Sequence, residues 1–200
     1  MRAAGIDSSR CHILTWLTSA PTTRFADLIT ADIDISVGSI DSLNAVAFAA
    51  RKLGKPARVH VKVDTGFGRN GFTPEGFSAA LEKLQQYSSE GVIEVIGQWS
   101  HLAVADSPDV PEFVDATDRQ IQQFHEFTKR MKEASVAPKI RHLANTAATL
   151  NRPEIRFELV RPGIGLYGYE PDPAMGDSQT YGLQPCLLYT SDAADERSSV

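Results

Sequence analysis

The sequence predicts an α/β protein built on a parallel sheet, and three observations predict it. Strand-like runs alternate with helix-like runs along the chain. The strand runs are rich in Val, Ile and aromatic residues and end at Gly, Pro, Asp or Ser. At 200 residues, with 42% apolar and 22% charged residues, the chain has the ordinary globular mix and enough length to bury a core. The first strand candidates are residues 12–17 and 32–37. Ser39 then caps a helix that passes through Leu43, Val46, Phe48 and Leu53 and stops at Gly54. A third strand, 58–63, leads through a glycine loop to a helix that Thr73-Pro74 should open, with Phe77, Leu81 and Leu84 on one face. After a fourth strand at 93–99 comes the longest helix, about 112–134, whose stripe of Ile121, Phe124, Thr128 and Met131 reads as core. Strands 139–143 and 157–160 complete six. Periodicity leaves two closures open, a doubly wound open sheet and a barrel, and an eight-stranded barrel would need about 250 residues.

Composition narrows the partners. A formal net charge of -5 argues against nucleic acid or an anionic membrane surface. The two cysteines, Cys11 and Cys186, make no disulfide framework and no Cys-x-x-Cys cluster. No apolar run reaches the ~20 residues of a membrane span, and the first residues hold no signal-peptide core, so the expectation is a soluble, cytoplasmic protein.

The strongest local signal is Val61-Lys62-Val63-Asp64-Thr65-Gly66-Phe67-Gly68-Arg69-Asn70-Gly71, a strand end running into a glycine-rich loop. On a parallel sheet, loops after the C-terminal ends of strands bind ligands. Gly66, Gly68 and Gly71 satisfy G-x-G-x-x-G in form. In a dinucleotide fold, however, that loop opens the helix itself in the first β/α unit, whereas here two strands precede it and the helix start lies beyond it. Asp64-Thr65-Gly66 has the form of an aspartic-protease triplet, but such enzymes need two copies and there is one.

Two further loops follow the last two strands: Arg141-His142-Leu143-Ala144-Asn145-Thr146, and Val160-Arg161-Pro162-Gly163-Ile164-Gly165-Leu166-Tyr167-Gly168. Each alone reads as a Thr cap or a Pro-Gly turn. Together on successive strands they suggest a phosphate cradle, with the Thr146 hydroxyl and open backbone N–H groups at Gly163 and Ile164.

These three segments, with Trp99-Ser100-His101-Leu102-Ala103 and Asp106 between them, resemble the alanine racemase family in order and spacing, over roughly residues 2–185. The resemblance implies an incomplete parallel (β/α)8 TIM-type barrel, about six of eight β/α units, with the six strands its third to eighth. It implies pyridoxal 5'-phosphate as cofactor, interconversion of L- and D-alanine for peptidoglycan supply, and a homodimeric parent enzyme. Lys62 matches a lysine that is often carbamylated and would orient Arg69, which would lie near the substrate carboxylate. Arg161 would face the pyridine nitrogen with His142 supporting it. His101 would lie near the ring; Thr146, Gly163 and Ile164 would hold the phosphate, with Asn145 as helper.

The departures bear on activity. The family's Schiff-base lysine motif is absent, and Lys52, Lys55 and Lys83 sit in helix or loop contexts. The C-terminal tyrosine base is absent too, so this stretch alone is expected to be a central fragment, inactive and poorly soluble. Residues 186–200 read as the translation of a sequencing adaptor, leaving 1–185 as the partial barrel domain. Rival readings are a broad-specificity amino-acid racemase, a non-catalytic pyridoxal-phosphate carrier and an open-sheet nucleotide-binding protein.

Overall fold

The computed structural model describes residues 1–186 apart from Pro21. The adaptor-like tail thus lies, except for Cys186, outside the described residues. Five strands form one parallel sheet in sequential order: β1 (Ile13–Thr15), β2 (Ile33–Val37), β3 (Ala57–Lys62), β4 (Ile93–Trp99) and β5 (Ile140–His142). Sequential order contains no point at which the strand order reverses to form a crevice, so the doubly wound alternative is excluded. The sheet curls into a half-barrel, an incomplete (β/α) TIM barrel. Its connecting helices are α1 (Phe25–Thr30), α2 (Ile40–Leu53), α3 (Phe77–Ser89), α4 (Pro111–Glu133) and α5 (Thr146–Asn151).

Strand periodicity sorts the side chains. On one face, Ile35, Val37, Val59, Val61 and Val95 are buried against α2, α3 and α4, together with Leu43, Val46, Phe77, Leu84, Phe124 and Met131. Residues of the alternate phase, Asp34, Ser36, His60, Lys62, Trp99 and His142, point to the concave interior and are nearly all polar, yet all are buried. Registration across the interior is direct: Ser36 pairs with His60, Lys62 with Trp99, and Trp99 with His142. One irregularity interrupts it. Between Val59 and His60 the β3–β4 register shifts, so that Val95 pairs with Val59 but Gly97 with His60, and Ile96 is the extra residue of a bulge. A Cβ on Gly97 would stand 2.2 Å from the His60 Nδ1, so only glycine lets that imidazole fill the space.

Local chemistry explains the helix limits. Ser39 caps α2 and forms a reciprocal pair with Ser42, and Gly54 ends the helix in the left-handed region at φ 62°. Helix α4 begins at Pro111 and buries the whole stripe Ile121, Phe124, Thr128 and Met131. The Gln98 side chain ties β4 to α4, donating to the Phe124 carbonyl (3.1 Å) and accepting from the Thr128 hydroxyl (2.8 Å).

Two expectations need correction. Thr73-Pro74 does not open α3; the Thr73 hydroxyl accepts from the Gly76 N–H in a turn, and the helix starts at Phe77. Residues 157–160 form no strand. Phe157 adopts φ 46°, turning the chain, and its ring stacks on Phe124 while Glu158 pairs with Arg141. Backbone pairing beside β5 resumes only where the Arg161 N–H donates to the Ala144 carbonyl (2.9 Å). Among the described residues, no helix is long and apolar enough to cross a membrane.

Candidate active site

The loops that leave the C-terminal ends of β3, β4 and β5 gather the sequence-predicted residues at one rim of the half-barrel. After β3, the Asp64 carboxylate accepts from the N–H groups of Gly66 (2.9 Å) and Gly68 (3.1 Å), which folds the glycine loop back on itself. Gly71, at φ 127°, comes so close that a Cβ would stand 2.7 Å from the Asp64 nitrogen. The glycines therefore shape a tight loop that presents Phe67 and Arg69. Arg69 is exposed, with its guanidinium over the Phe67 ring at 4.5 Å. After β4, the Thr65 hydroxyl hydrogen-bonds that of Ser100 (2.9 Å). Gln120 of α4 accepts from the Ala103 N–H and donates to Thr65 and to the His101 carbonyl. The Phe67 and His101 rings pack at 5.7 Å.

Lys62 ends β3 with 3% of its surface exposed and its Nζ without a hydrogen-bond partner among the described residues. It borders a cleft of about 250 Å³ with Trp16, Ser36, Gly38, Ser42 and Asn70. Burial lowers its pKa from the usual lysine value, and the charges of Arg69 and Arg161 lower it further, against a weaker opposing pull from Asp64.

Arg161 is fixed by carbonyls and a ring nitrogen. Its Nη1 donates to the His142 carbonyl (2.6 Å) and to His142 Nδ1 (3.0 Å); its Nη2 donates to the Ser100 carbonyl (2.6 Å) and the Leu143 carbonyl (3.3 Å). Burial brings it down to about 10, which leaves it cationic at neutral pH. His142 is fully buried and pushed down to about 2, by burial first and then by Arg161 and His60. His101 falls to about 4 through burial, Arg161, Arg69 and Lys62 in that order. Both imidazoles are neutral at pH 7. Trp99 is the floor of the site: its indole N–H donates to Ser36 (3.0 Å) and its ring stacks on His142. Lys62 Nζ and the Arg161 guanidinium lie 4.6 and 5.0 Å from its centroid.

A second cleft, about 230 Å³, is lined by His101, Asp106, Asn145, Thr146, Arg161 and Gly163, with Ile164 at its edge. The Thr146 hydroxyl accepts from the N–H of Gly163 (2.8 Å) and faces that of Gly165 (3.5 Å). The Gly163 N–H is therefore not open as the sequence suggested; it ties the two loops together. Asn145 uses its side-chain oxygen to cap α5 at the Ala148 N–H (3.1 Å). Three residues of the site escaped the sequence reading as participants: Asp34, His60 and the floor residue Trp99. Their signal is the alternation Asp34-x-Ser36 and His60-x-Lys62, which reads as a solvent face in an open sheet and as an interior in a barrel.

Comparison with known proteins places this geometry in a family. The family model described as alanine racemase, N-terminal domain, matches residues 1–171. The alanine racemase of Frankia casuarinae is 43% identical over 194 residues, covering 97% of this chain and 48% of that protein. That of Thermobifida fusca is 43% identical over 191 residues, covering 96% and 48%. The crystal structure of alanine racemase from D-cycloserine-producing Streptomyces lavendulae superposes with a TM-score of 0.85 at 38% identity, over 92% of this chain and 46% of that one. The chain spans about half the length of the curated relatives it matches. With its sequential half-barrel, its three rim loops and these relatives, the chain belongs to the alanine racemase N-terminal domain family.

Proposed function

We propose that this chain supplies the pyridoxal-phosphate-binding part of an alanine racemase that interconverts L- and D-alanine. The parent would be a cytoplasmic homodimer serving cell-wall D-alanine supply. The observation that carries the reading is Arg161. It is a half-buried guanidinium held by three carbonyls and a neutral histidine at the rim where Thr146 and Gly163 meet.

The residues present fit pyridoxal 5'-phosphate. A phosphate requires donors, and the Thr146 hydroxyl, its oxygen already accepting from the Gly163 N–H, keeps its own proton to donate into the cleft, with the Ile164 N–H following. A pyridine nitrogen requires one polar partner, and Arg161 is the one cation sharing that cleft. When bound, the cofactor supplies the electron sink that lets the α-proton of an amino acid leave.

The side chains supply orientation and charge. Arg161 can only donate, so it leaves a facing ring nitrogen unprotonated and restrains the sink. His142 stays neutral and accepts from it. Arg69 offers a guanidinium for the substrate carboxylate, and its exposure leaves it free to bind one. Lys62, whose pKa is lowered by burial and by the charges of Arg69 and Arg161, gives up its proton more readily than a free lysine and so is suited to capture carbon dioxide as a carbamate, whose negative charge would face Arg69. His101 and Asn145 line the cleft around the ring.

Equilibrium dialysis of the chain against pyridoxal 5'-phosphate should show saturable binding, weakened about tenfold or more by Arg161→Ala or Thr146→Val. Binding that ignores both substitutions would reject the site. The chain by itself should not racemise alanine, because no base in it is assigned to either face of the α-carbon; turnover by the isolated chain would overturn these roles.

A further inference from the structure

The concave interior holds a line of hydrogen bonds that the cofactor reading does not use. Arg161 Nη1 donates to His142 Nδ1 at 3.0 Å; His142 Nε2 lies 2.8 Å from His60 Nδ1; His60 Nε2 lies 3.3 Å from Asp34 Oδ2. Beyond Asp34 stands Arg58, whose Nη2 donates to Oδ2 at 3.1 Å while its Nε sits 2.8 Å from Oδ1, out of line for a hydrogen bond. His12 approaches the same carboxylate at 3.7 Å. Asp34, His60 and His142 are all at most 3% exposed, so water is not an alternative partner for any of them.

The two ends of the line determine everything between. A guanidinium has no acceptor, so His142 Nδ1 must carry a lone pair and Nε2 the proton. That proton needs an acceptor, which makes His60 Nδ1 the lone-pair atom and His60 Nε2 the donor. A carboxylate receives it at Asp34. Reversing the His60 proton would set two N–H groups against each other at 2.8 Å, or drive the His142 proton onto Nδ1 against Arg161. The fold makes room for this line: the bulge at Ile96 puts Gly97 opposite His60, where any side chain would strike the ring.

We propose that Asp34 and His60 are positioning residues for Arg161, the line Asp34–His60–His142–Arg161 locking both imidazoles into one tautomer and turning the His142 Nδ1 lone pair toward the guanidinium. What this does for a bound cofactor rests on the reading above; the tautomer lock itself does not. The ring that Arg161 leans on is thereby set from β2, on the far side of β3.

The test is two-bond ¹H–¹⁵N NMR on the chain labelled at histidine. His142 and His60 should each show one pyrrole-like Nε2 and one pyridine-like Nδ1. Asp34→Leu removes the terminal acceptor and strands the buried His60 Nε2–H, so that moving the proton to His60 Nδ1 at the expense of the Arg161 contact becomes competitive; the ring nitrogens of both histidines should shift together toward averaged values. Asp34→Asn, which keeps an acceptor oxygen, should restore them. His60→Gln, able to accept from His142 and donate to Asp34, should keep the His142 pattern if the leucine variant does not fold. A folded Asp34→Leu or an Asp34→Asn chain with the opposite behaviour, His142 unmoved in the first or averaged in the second, overturns the proposal. In dialysis, Asp34→Leu should weaken pyridoxal-phosphate binding about tenfold and Asp34→Asn restore it. Histidine signals that behave as expected in a chain that takes up no pyridoxal phosphate would uphold the lock and reject the cofactor reading.

Discussion

Lys62 shows how strongly a residue's meaning depends on its surroundings. A strand-end lysine in the sequence looks like half of an ion pair with Asp64, but its Nζ has no hydrogen-bond partner among the described residues and rests on an indole instead. Because its pKa is lowered on folding, the folded chain holds fewer protons there than the unfolded chain between the lowered value and the ordinary lysine value of 10.5. Its cost to stability is therefore largest below that window and fades as pH rises through it. Lys62→Met should raise stability in urea at pH 7 by about 1 kcal/mol, with the gain shrinking toward pH 10; an equal gain at both pH values would show that packing, not charge, is responsible. The histidines act over another range. His142 at about 2 and His101 at about 4 fold as neutral rings, so their contribution is complete above the ordinary histidine value of 6.5 and is lost as pH falls below it. Unfolding free energy should fall from pH 6.5 toward pH 4.5 with up to about 1.4 kcal/mol per pH unit for each proton taken up. His101→Gln should flatten that slope, and a wild-type profile already flat over this range would contradict the buried neutral rings.

Elements differ in how openly they announce themselves. Helix α2 was legible because both its stops are local: the Ser39 cap and the left-handed Gly54. Helix α4 was legible because an apolar stripe runs through its C-terminal half, from Ile121 to Met131. The run 157–160 misled because an aromatic and two branched aliphatics read as strand, while what decides it is long-range: a left-handed Phe157 seated on Phe124, and Glu158 reaching back to Arg141. Strand β4 hides its bulge for the same reason, since only the ring facing Gly97 reveals why a glycine stands there. Gly97→Ala should destabilise the chain by about 2 kcal/mol or more, a close-contact cost with no open side to relax into. Ser39→Ala should cost about 1 kcal/mol, the ordinary loss of a helix cap. Thermal or urea unfolding compares the two, and a glycine substitution no costlier than the cap would mean that the bulge is pliable.

At the level of the whole molecule, the rim loops were readable and the interior was not. Arg69, Thr146 and Arg161 stand in glycine- and proline-marked segments after strands, where ligand chemistry is expected. Asp34 and His60 occupy mid-strand positions whose polar alternation has two opposite readings until closure of the sheet is known. The outer edges of β1 and β5 carry no strand partner among the described residues, and Trp16 and Leu17 beside β1 are half exposed or more. Such edges pair with other edges. Sedimentation velocity of the chain should therefore show mass that rises with concentration, and lysine at Leu17 should reduce it; a single monomeric boundary at all concentrations would argue that the edges are covered.

Trp99 has a consequence of its own. Two cations sit over one indole, and the sequence holds only one other tryptophan, Trp16, 6.3 Å away. Its emission colour should thus serve as a built-in voltmeter. In a Trp16→Phe background, converting the Lys62 ammonium to an anion would reverse the local field across the ring, and the wavelength of its glow would register the change.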